Sequence, residues 1–134
     1  MSCYCGHPDP YLECCGQYVV FGQKPETAEK LMRSRYSAYA TGAVPYLIQT
    51  THPDFRNSTL GVSISTWIAQ VSAWRGLTIV SVQKGGPKDE IGWVNFQATF
   101  VQDGQEQRLQ ERSRFSRFLG EWVYEDREEK WASS

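Results

Sequence analysis

Apolar residues in the first half of the chain recur every three or four positions, a spacing that is typical of amphipathic helices. A first helix is predicted over residues 24–40, because Pro25 suits its first turn and Gly42 suits its end. A short second helix is predicted over residues 44–50, and a third, amphipathic one over residues 60–74. We therefore expect the first half of the chain to be mainly helical.

The hydrophobic period changes to two after Gly76, which indicates β-strands. Residues 91–101 alternate cleanly, with the apolar set on the face expected to meet the helices. Asp103-Gly104 is a strong hairpin turn. The predicted strands cover residues 77–83, 91–101, 107–118 and 121–125. The charged tail over residues 126–134 is expected to fray.

Helices followed by an antiparallel meander are typical of the α+β class, in which the helices pack on one face of a twisted sheet. A chain of 134 residues fits one folded unit of this kind. We divide it into residues 1–23, which contain all four cysteines, and residues 24–134, which contain the predicted helices and strands.

Cys3, Cys5, Cys14 and Cys15 form two closely spaced pairs near the N-terminus. Zinc prefers four soft ligands in a tetrahedron, at about 2.3 Å from each sulfur, and two such pairs supply them with little chain to order. We predict a structural Zn²⁺ site, because four protein ligands leave no open position at which a water could be activated.

Other uses of these thiols stay open from the sequence. Disulfides such as Cys3–Cys14 with Cys5–Cys15 are an alternative on oxidation, whereas bridging the adjacent pair requires a strained ring. A redox-active Cys-x-Cys pair is a second alternative. The ring nitrogen of His7 could also replace one sulfur ligand.

The net charge and the hydropathy of the chain argue against some classes of binding partner. The formal net charge is -1, so we expect no broad attraction to nucleic acid or to anionic membranes. No apolar run reaches the ~18 residues of a membrane span, and the N-terminus does not read as a secretory signal. We therefore expect a cytoplasmic location, where disulfides are rare. A protein or a small molecule is the expected partner, and the oligomeric state is not indicated.

Arg35 falls on the apolar stripe of the first predicted helix, beside Met32 and Tyr39. A guanidinium there needs a partner, because an unpaired buried charge is costly. Glu111 and Ser113 alternate onto the face of the third strand that should meet the helices. We predict a buried or half-buried Arg35–Glu111 ion pair with further hydrogen bonds from Ser113 and tyrosine hydroxyls. The pair either bridges helix and sheet or lines a ligand cavity.

His52 lies in a loop that could sit at the mouth of such a cavity. Imidazole near neutral pH suits proton transfer, although a lone loop histidine is more often a hydrogen-bonding group. Trp67, Trp74, Trp93 and Trp122 are interpreted as core and sheet-surface residues. The candidate pocket residues are Arg35, Tyr39, His52, Glu111 and Ser113.

Several local motifs together resemble a known family. Cys3-Tyr4-Cys5-Gly6 and Cys14-Cys15-Gly16 resemble the SEC-C zinc-binding motif of the SecA translocation motor. The remaining chain resembles the YchJ-like family of bacterial proteins. This second resemblance rests on residues 31–39, Tyr46-Leu47, Thr51-His52-Pro53 and residues 111–115.

The resemblance implies a zinc knuckle followed by a cone-shaped domain similar to nuclear transport factor and ketosteroid isomerase. In that fold a curved antiparallel sheet wraps around helices and often leaves a pocket. Because the SecA knuckle contacts partner proteins, a binding module for a protein partner or small ligand is the first functional hypothesis. The alternative is a small-molecule isomerase or hydrolase, with His52 as proton shuttle and Arg35 or Glu111 orienting the substrate.

Overall fold

The computed structural model describes residues 2–125 and the backbone of residues 130–132. In this part of the chain, helices precede one antiparallel sheet, which confirms the predicted α+β class. The helices are α1 (Gly16–Val19), α2 (Ala28–Thr41), α3 (Val44–Gln49) and α4 (Leu60–Gln70), with short 3-10 turns at Tyr11–Glu13 and Pro53–Phe55. The strands are β1 (Val71–Lys84), β2 (Ile91–Gln102), β3 (Gln105–Phe118), β4 (Glu121–Glu125) and β5 (Lys130–Ala132).

Helix α2 begins later than the sequence predicts. Thr27 is extended, and its hydroxyl accepts a hydrogen bond of 3.1 Å from the backbone N–H of Lys30, as an N-cap residue does. Pro25 therefore lies before the helix rather than in its first turn. The helix ends as predicted at Gly42, whose φ of 75° is the left-handed conformation that glycine adopts readily.

The boundary between α4 and β1 differs most from the prediction. The helix ends at Gln70, and Trp74 lies in β1 rather than in the helix. Register shifts in the pairing with β2 occur at Val71/Ala73 and Trp74/Gly76. Each shift adds one residue to β1, so residues three apart stay on one face of the strand. Apolar residues three positions apart are also typical of a helix, and the predicted helix therefore extends to Trp74.

The sheet has the order β1-β2-β3-β4, and β5 pairs with β3 beyond the end of β4. The predicted β2–β3 turn is confirmed, since Asp103 and Gly104 both have positive φ. The tail expected to fray falls partly outside the described residues. Over Lys130–Ala132 that prediction is wrong, because backbone pairing with β3 holds this segment on the sheet.

The core lies between α2 and the helix-covered face of the sheet, where Leu31, Val94 and Phe115 are fully buried. The start of α2 sits on the β1–β2 turn, and Ala28 N–H donates to the carbonyl of Gly85 over 2.9 Å. A Cβ at Gly85 would lie 2.8 Å from Ala28 Cβ, so a side chain there would push the start of α2 away from the turn. Tight packing at this turn therefore fixes where α2 lies on the sheet.

Candidate metal centre and cavity

Two local turns bring the cysteine pairs together. The backbone N–H of Cys3 donates to the carbonyls of His7 over 3.1 Å and Asp9 over 2.8 Å, which folds the intervening loop back on the first pair. Gly6 follows that pair with a φ of 93°, a conformation that a side chain would strain. Cys15 immediately precedes α1, so the second pair lies at the start of that helix.

The sulfur atoms converge into a single cluster. The Sγ atoms of Cys3, Cys5, Cys14 and Cys15 all lie within 4.8 Å of one another. Cys5 and Cys14 are 3.7 Å apart at sulfur, and none of the four is in a disulfide. Cys3, Cys5 and Cys15 are buried, and Cys14 is half-buried. This arrangement could hold a metal ion with four sulfur ligands from one short segment.

The thiols of the cluster differ sharply in acidity. A hydrogen bond from Cys15 outweighs the effect of burial and lowers the pKa of Cys5 to about 4. The same hydrogen bond, made by Cys15 as donor, raises the pKa of Cys15 above its usual range. Burial, followed by repulsion from the Cys5 thiolate, raises the pKa of Cys14 to about 12. A bound cation would offset this repulsion between neighbouring thiolates.

Arg33 attaches the cluster to the α+β domain. Its Nη1 donates to the carbonyl of Cys5 over 3.0 Å, and its Nε pairs with Glu29 over 3.0 Å. The cluster also meets α2 where Cys3 Sγ lies 3.6 Å from Ser37 Oγ. The helical wheel directs Arg33 away from the core, and sequence reasoning assigned it no role. The available signals were a basic residue on that face of α2 and its spacing of four residues from Glu29, which favours an ion pair but does not point to Cys5.

A cavity of about 370 Å³ lies between α2, α4 and the sheet. Its walls are mostly apolar and aromatic, including Met32, Tyr39, Trp67, Trp74, Phe96 and Leu109. Its polar side chains include Arg35, Thr51, Ser63, Glu111, Ser113 and Tyr124. Four of the five predicted pocket residues line it, namely Arg35, Tyr39, Glu111 and Ser113.

The predicted direct ion pair between Arg35 and Glu111 is wrong. Arg35 Nη1 donates instead to the Leu47 carbonyl over 2.9 Å and to Thr50 Oγ1 over 2.7 Å. The guanidinium carbon lies 4.5 Å from the ring centre of Tyr124. Oxygen atoms at the end of α3 and the face of this ring therefore satisfy the buried charge.

Glu111 has its own hydrogen-bond partners on the sheet. Its Oε2 accepts from the hydroxyl of Ser113, as predicted, and from the hydroxyl of Tyr124 over 3.1 Å. Tyr124 thus contacts Glu111 through its hydroxyl and Arg35 through its ring. The sequence did not predict this role of Tyr124, because the contacts of Tyr124 depend on the register with which β4 pairs with β3.

His52 is not among the residues that line this cavity, so the structure does not bring it to the other four candidates. Its Nδ1 accepts a 3.0 Å hydrogen bond from the Asp54 backbone and caps the 3-10 turn that follows. Its backbone N–H donates to the Tyr124 carbonyl, and its ring packs against Phe55 and Phe118. These contacts orient the imidazole within the loop, while the neighbouring Thr51 reaches the cavity.

The tryptophans divide between several environments. Trp67 and Trp74 line the cavity and stack edge to face, with ring centres 5.2 Å apart. Trp122 is buried and donates from Nε1 to the Glu26 carbonyl over 3.0 Å. Trp93 lies under the guanidinium of Arg112 on a neighbouring strand. The sequence-based interpretation of the four tryptophans as core and sheet-surface residues therefore missed that Trp67 and Trp74 line the cavity.

The family of the chain follows from its sequence match over this α+β region. Residues 27–127 match the family model for the middle, nuclear transport factor 2-like domain of YchJ. The chain belongs to the YchJ family. This confirms the resemblance drawn from the local motifs, and the match covers Arg35, Glu111 and Tyr124 alike.

Relatives of the YchJ-family chain match more of it than the family model does. A UPF0225 protein of Vibrio cholerae is 38% identical over 96% of this chain and 83% of its own length. A UPF0225 protein of Bordetella parapertussis is 41% identical over 93% of this chain and 90% of its own length.

Two solved structures share the YchJ-family fold and the motif. The solution structure of a SEC-C motif containing protein from Rhodopseudomonas palustris matches with a TM-score of 0.82 and 30% identity, and both chains are fully covered. The crystal structure of another SEC-C motif containing protein, from Psychrobacter arcticus, matches with a TM-score of 0.77 and 26% identity, over all of this chain and 85% of that one. None of the helices described here has the length and apolar character of a membrane span.

Proposed function

We propose that this YchJ-family protein is a zinc-containing binding module. A structural Zn²⁺ fixes the N-terminal segment on α2, and the cavity binds a small ligand. The observation that carries the proposal is an open, mainly apolar cavity with two opposite, well-anchored charges on its wall. Such a combination of apolar surface and a few fixed polar groups is typical of ligand sites.

The spacing of the sulfur atoms supports zinc as the metal. A tetrahedron with zinc–sulfur distances of about 2.3 Å has sulfur–sulfur edges of about 3.8 Å. The Cys5–Cys14 separation is 3.7 Å, and every pair of sulfurs is within 4.8 Å. Cys3, Cys5, Cys14 and Cys15 would be the ligands. Because four thiolates fill the coordination sphere, this metal would stabilise the fold rather than activate a water. Reduced thiols also suit a cytoplasmic location.

The anchoring of the charged groups favours binding over catalysis. Arg35 is held by oxygen atoms of α3 and its following residues, and Glu111 is held by two hydroxyl donors. Groups held in this way present fixed partners to a ligand at a low entropic cost. An isomerase or hydrolase reaction is the weaker alternative, because His52 does not line the cavity and Glu111 would have to act alone as the base.

A matched pair of variants on α4 tests the cavity. Ser63 is exposed and lines the cavity, whereas Ser65 is exposed on the same helix and does not line it. We expect Ser63→Trp to block the entrance and abolish the chemical-shift changes that a fragment library produces in wild-type protein. Ser65→Trp should retain them. The proposal fails if no fragment perturbs cavity residues, or if both variants bind equally.

Docking of a protein partner is a second candidate function. Leu12, Val20 and Phe21 are 55%, 56% and 64% exposed, and all three follow closely on the cysteine cluster in the chain. Apolar groups this exposed on a metal-fixed segment favour a protein contact. We expect Phe21→Ser to lose a partner that co-purifies with wild type, and Leu119→Ser, at an exposed turn elsewhere, to keep it. Equal recovery with both variants would argue against docking here.

A further inference from the structure

Resting on the proposed ligand-binding function, we infer that the cavity selects a neutral, ring-containing molecule that donates a hydrogen bond to Glu111. Glu111 is 5% exposed and lines the cavity. Ser113 and Tyr124 both donate to its Oε2. No described residue donates to Oε1, so this second oxygen of a cavity-lining carboxylate can accept a hydrogen bond from a ligand.

A ligand that fills the cavity displaces water from this carboxylate oxygen, and burying the oxygen without a replacement donor is costly. Ionised carboxylates accept hydrogen bonds and donate none. A hydroxyl or a ring N–H on the ligand would supply the missing bond. A ligand with only acceptors would leave Oε1 unpaired and bind more weakly.

The walls favour a ring. Tyr39, Trp67 and Trp74 face the cavity and pack against one another edge to face or tilted, with ring centres 5.1 to 5.8 Å apart. Aromatic ligands extend such clusters through the same offset geometries. The volume of about 370 Å³ leaves room for a molecule with a single ring or with two fused rings.

The charges on the walls favour a neutral ligand. Among the residues that line the cavity, Arg35 is the basic one and Glu111 the acidic one. Both contact Tyr124, one at its ring face and the other at its hydroxyl. Their fields therefore oppose each other inside the cavity, and a ligand of either net charge would approach one like charge.

Indole and benzofuran test the donor requirement on the zinc-loaded full chain. The two probes have nearly the same shape and apolar area, but only indole carries an N–H donor. We expect indole to bind at least ~10-fold more tightly by NMR titration, the loss typical of one hydrogen bond to a charged group. Glu111→Gln should reduce this preference to below ~3-fold, whereas Glu106→Gln, at an exposed position on the same strand, should preserve it.

Tryptamine, which adds an ammonium group to the same ring, tests the charge requirement. We expect it to bind no more tightly than indole. Equal affinity for indole and benzofuran would overturn the donor requirement while leaving the cavity as a ligand site. Tighter binding of tryptamine would overturn the requirement for neutrality. If none of these probes binds but other fragments do, the ligand class is wrong; if no fragment binds, the proposed function itself fails.

The affinities of indole, benzofuran and tryptamine are compared on wild-type protein, so this test does not require that a variant folds. For Glu111→Gln, the amide proton spectrum without ligand shows whether the sheet is intact. An intact spectrum with an unchanged indole preference would overturn the assignment of Glu111 as the acceptor.

Discussion

The proposed metal centre and the cavity both contact α2, but the first takes its residues from one short segment and the second from distant parts of the chain. The four sulfurs come from one segment, between Cys3 and Cys15. The cavity takes side chains from α2, α4 and four strands, and its lining residues range from Met32 to Tyr124 along the chain. Local spacing therefore determines the first site, whereas strand register and helix docking determine the second.

This difference suggests that the two regions respond differently to damage. Loss of one sulfur would remove the proposed cation from a short segment, while the sheet would keep its own core of Leu31, Val94 and Phe115. Loss of an anchor in the cavity acts on that core directly.

Cys5→Ser should remove the metal. We expect zinc content, measured by mass spectrometry of metals, to fall from about one equivalent per chain to less than ~0.1, because the remaining three thiolates bind it far less tightly. Hydrogen exchange should accelerate over residues 2–22 and stay slow in β2 and β3. Tyr4→Ser, at an exposed neighbouring position, should retain full metal content. Retention of zinc by Cys5→Ser would contradict the four-sulfur site.

Arg35→Met should destabilise the α+β domain by about 3 kcal/mol, because it leaves the Leu47 carbonyl and Thr50 hydroxyl without this donor inside the protein. Urea unfolding monitored by tryptophan fluorescence measures the change, and zinc content should stay normal. Lys30→Met, at an exposed position of the same helix, should change the unfolding free energy by less than ~0.5 kcal/mol. Similar results for both variants would show that Arg35 is not an anchor.

Arg33→Met should weaken the link between the two regions. Arg33 is partly exposed, so we expect a loss of only about 1 kcal/mol from its bonds to the Cys5 carbonyl and Glu29. Zinc should transfer to a chromogenic chelator several-fold faster than from wild type. The expected signature is faster release with an unchanged sheet, and an unchanged release rate would show that the segment is held by other contacts.

His52→Asn should have the smallest effect. An asparagine oxygen can accept the cap hydrogen bond from the Asp54 backbone, so we expect a loss below ~1 kcal/mol in unfolding free energy. Ligand affinity should stay within a factor of about two, because His52 does not line the cavity. A large loss of ligand affinity without loss of stability would show that His52 contributes to ligand binding.

Sequence reasoning succeeded where the physics is local. The four cysteines converge because their loop is short, and α2 ends at Gly42 because glycine adopts the left-handed conformation readily. The face of β3 that carries Glu111 and Ser113 was predictable from alternation alone. The division of the chain at residue 23 stays a prediction.

It failed where distant segments decide the outcome. The bulges of β1 depend on pairing with β2, so the apolar spacing around Trp74 was misread as helical. Arg35 and Glu111 were placed in the right layer, but Tyr124 between them depends on how β4 pairs with β3. The bond from Arg33 to the cysteine segment has no counterpart in any local pattern, because its acceptor is the backbone carbonyl of Cys5, 28 residues away.

Helix α2 carries Arg33 to the metal centre and Arg35 to the cavity, two positions apart on different faces of one helix. An α-helix turns by about 100° per residue. A residue inserted or deleted between them would rotate one guanidinium away from its acceptors, whichever half of the helix kept its place. Substitutions can therefore alter either site alone, whereas any change in helix length at this point disrupts at least one of them.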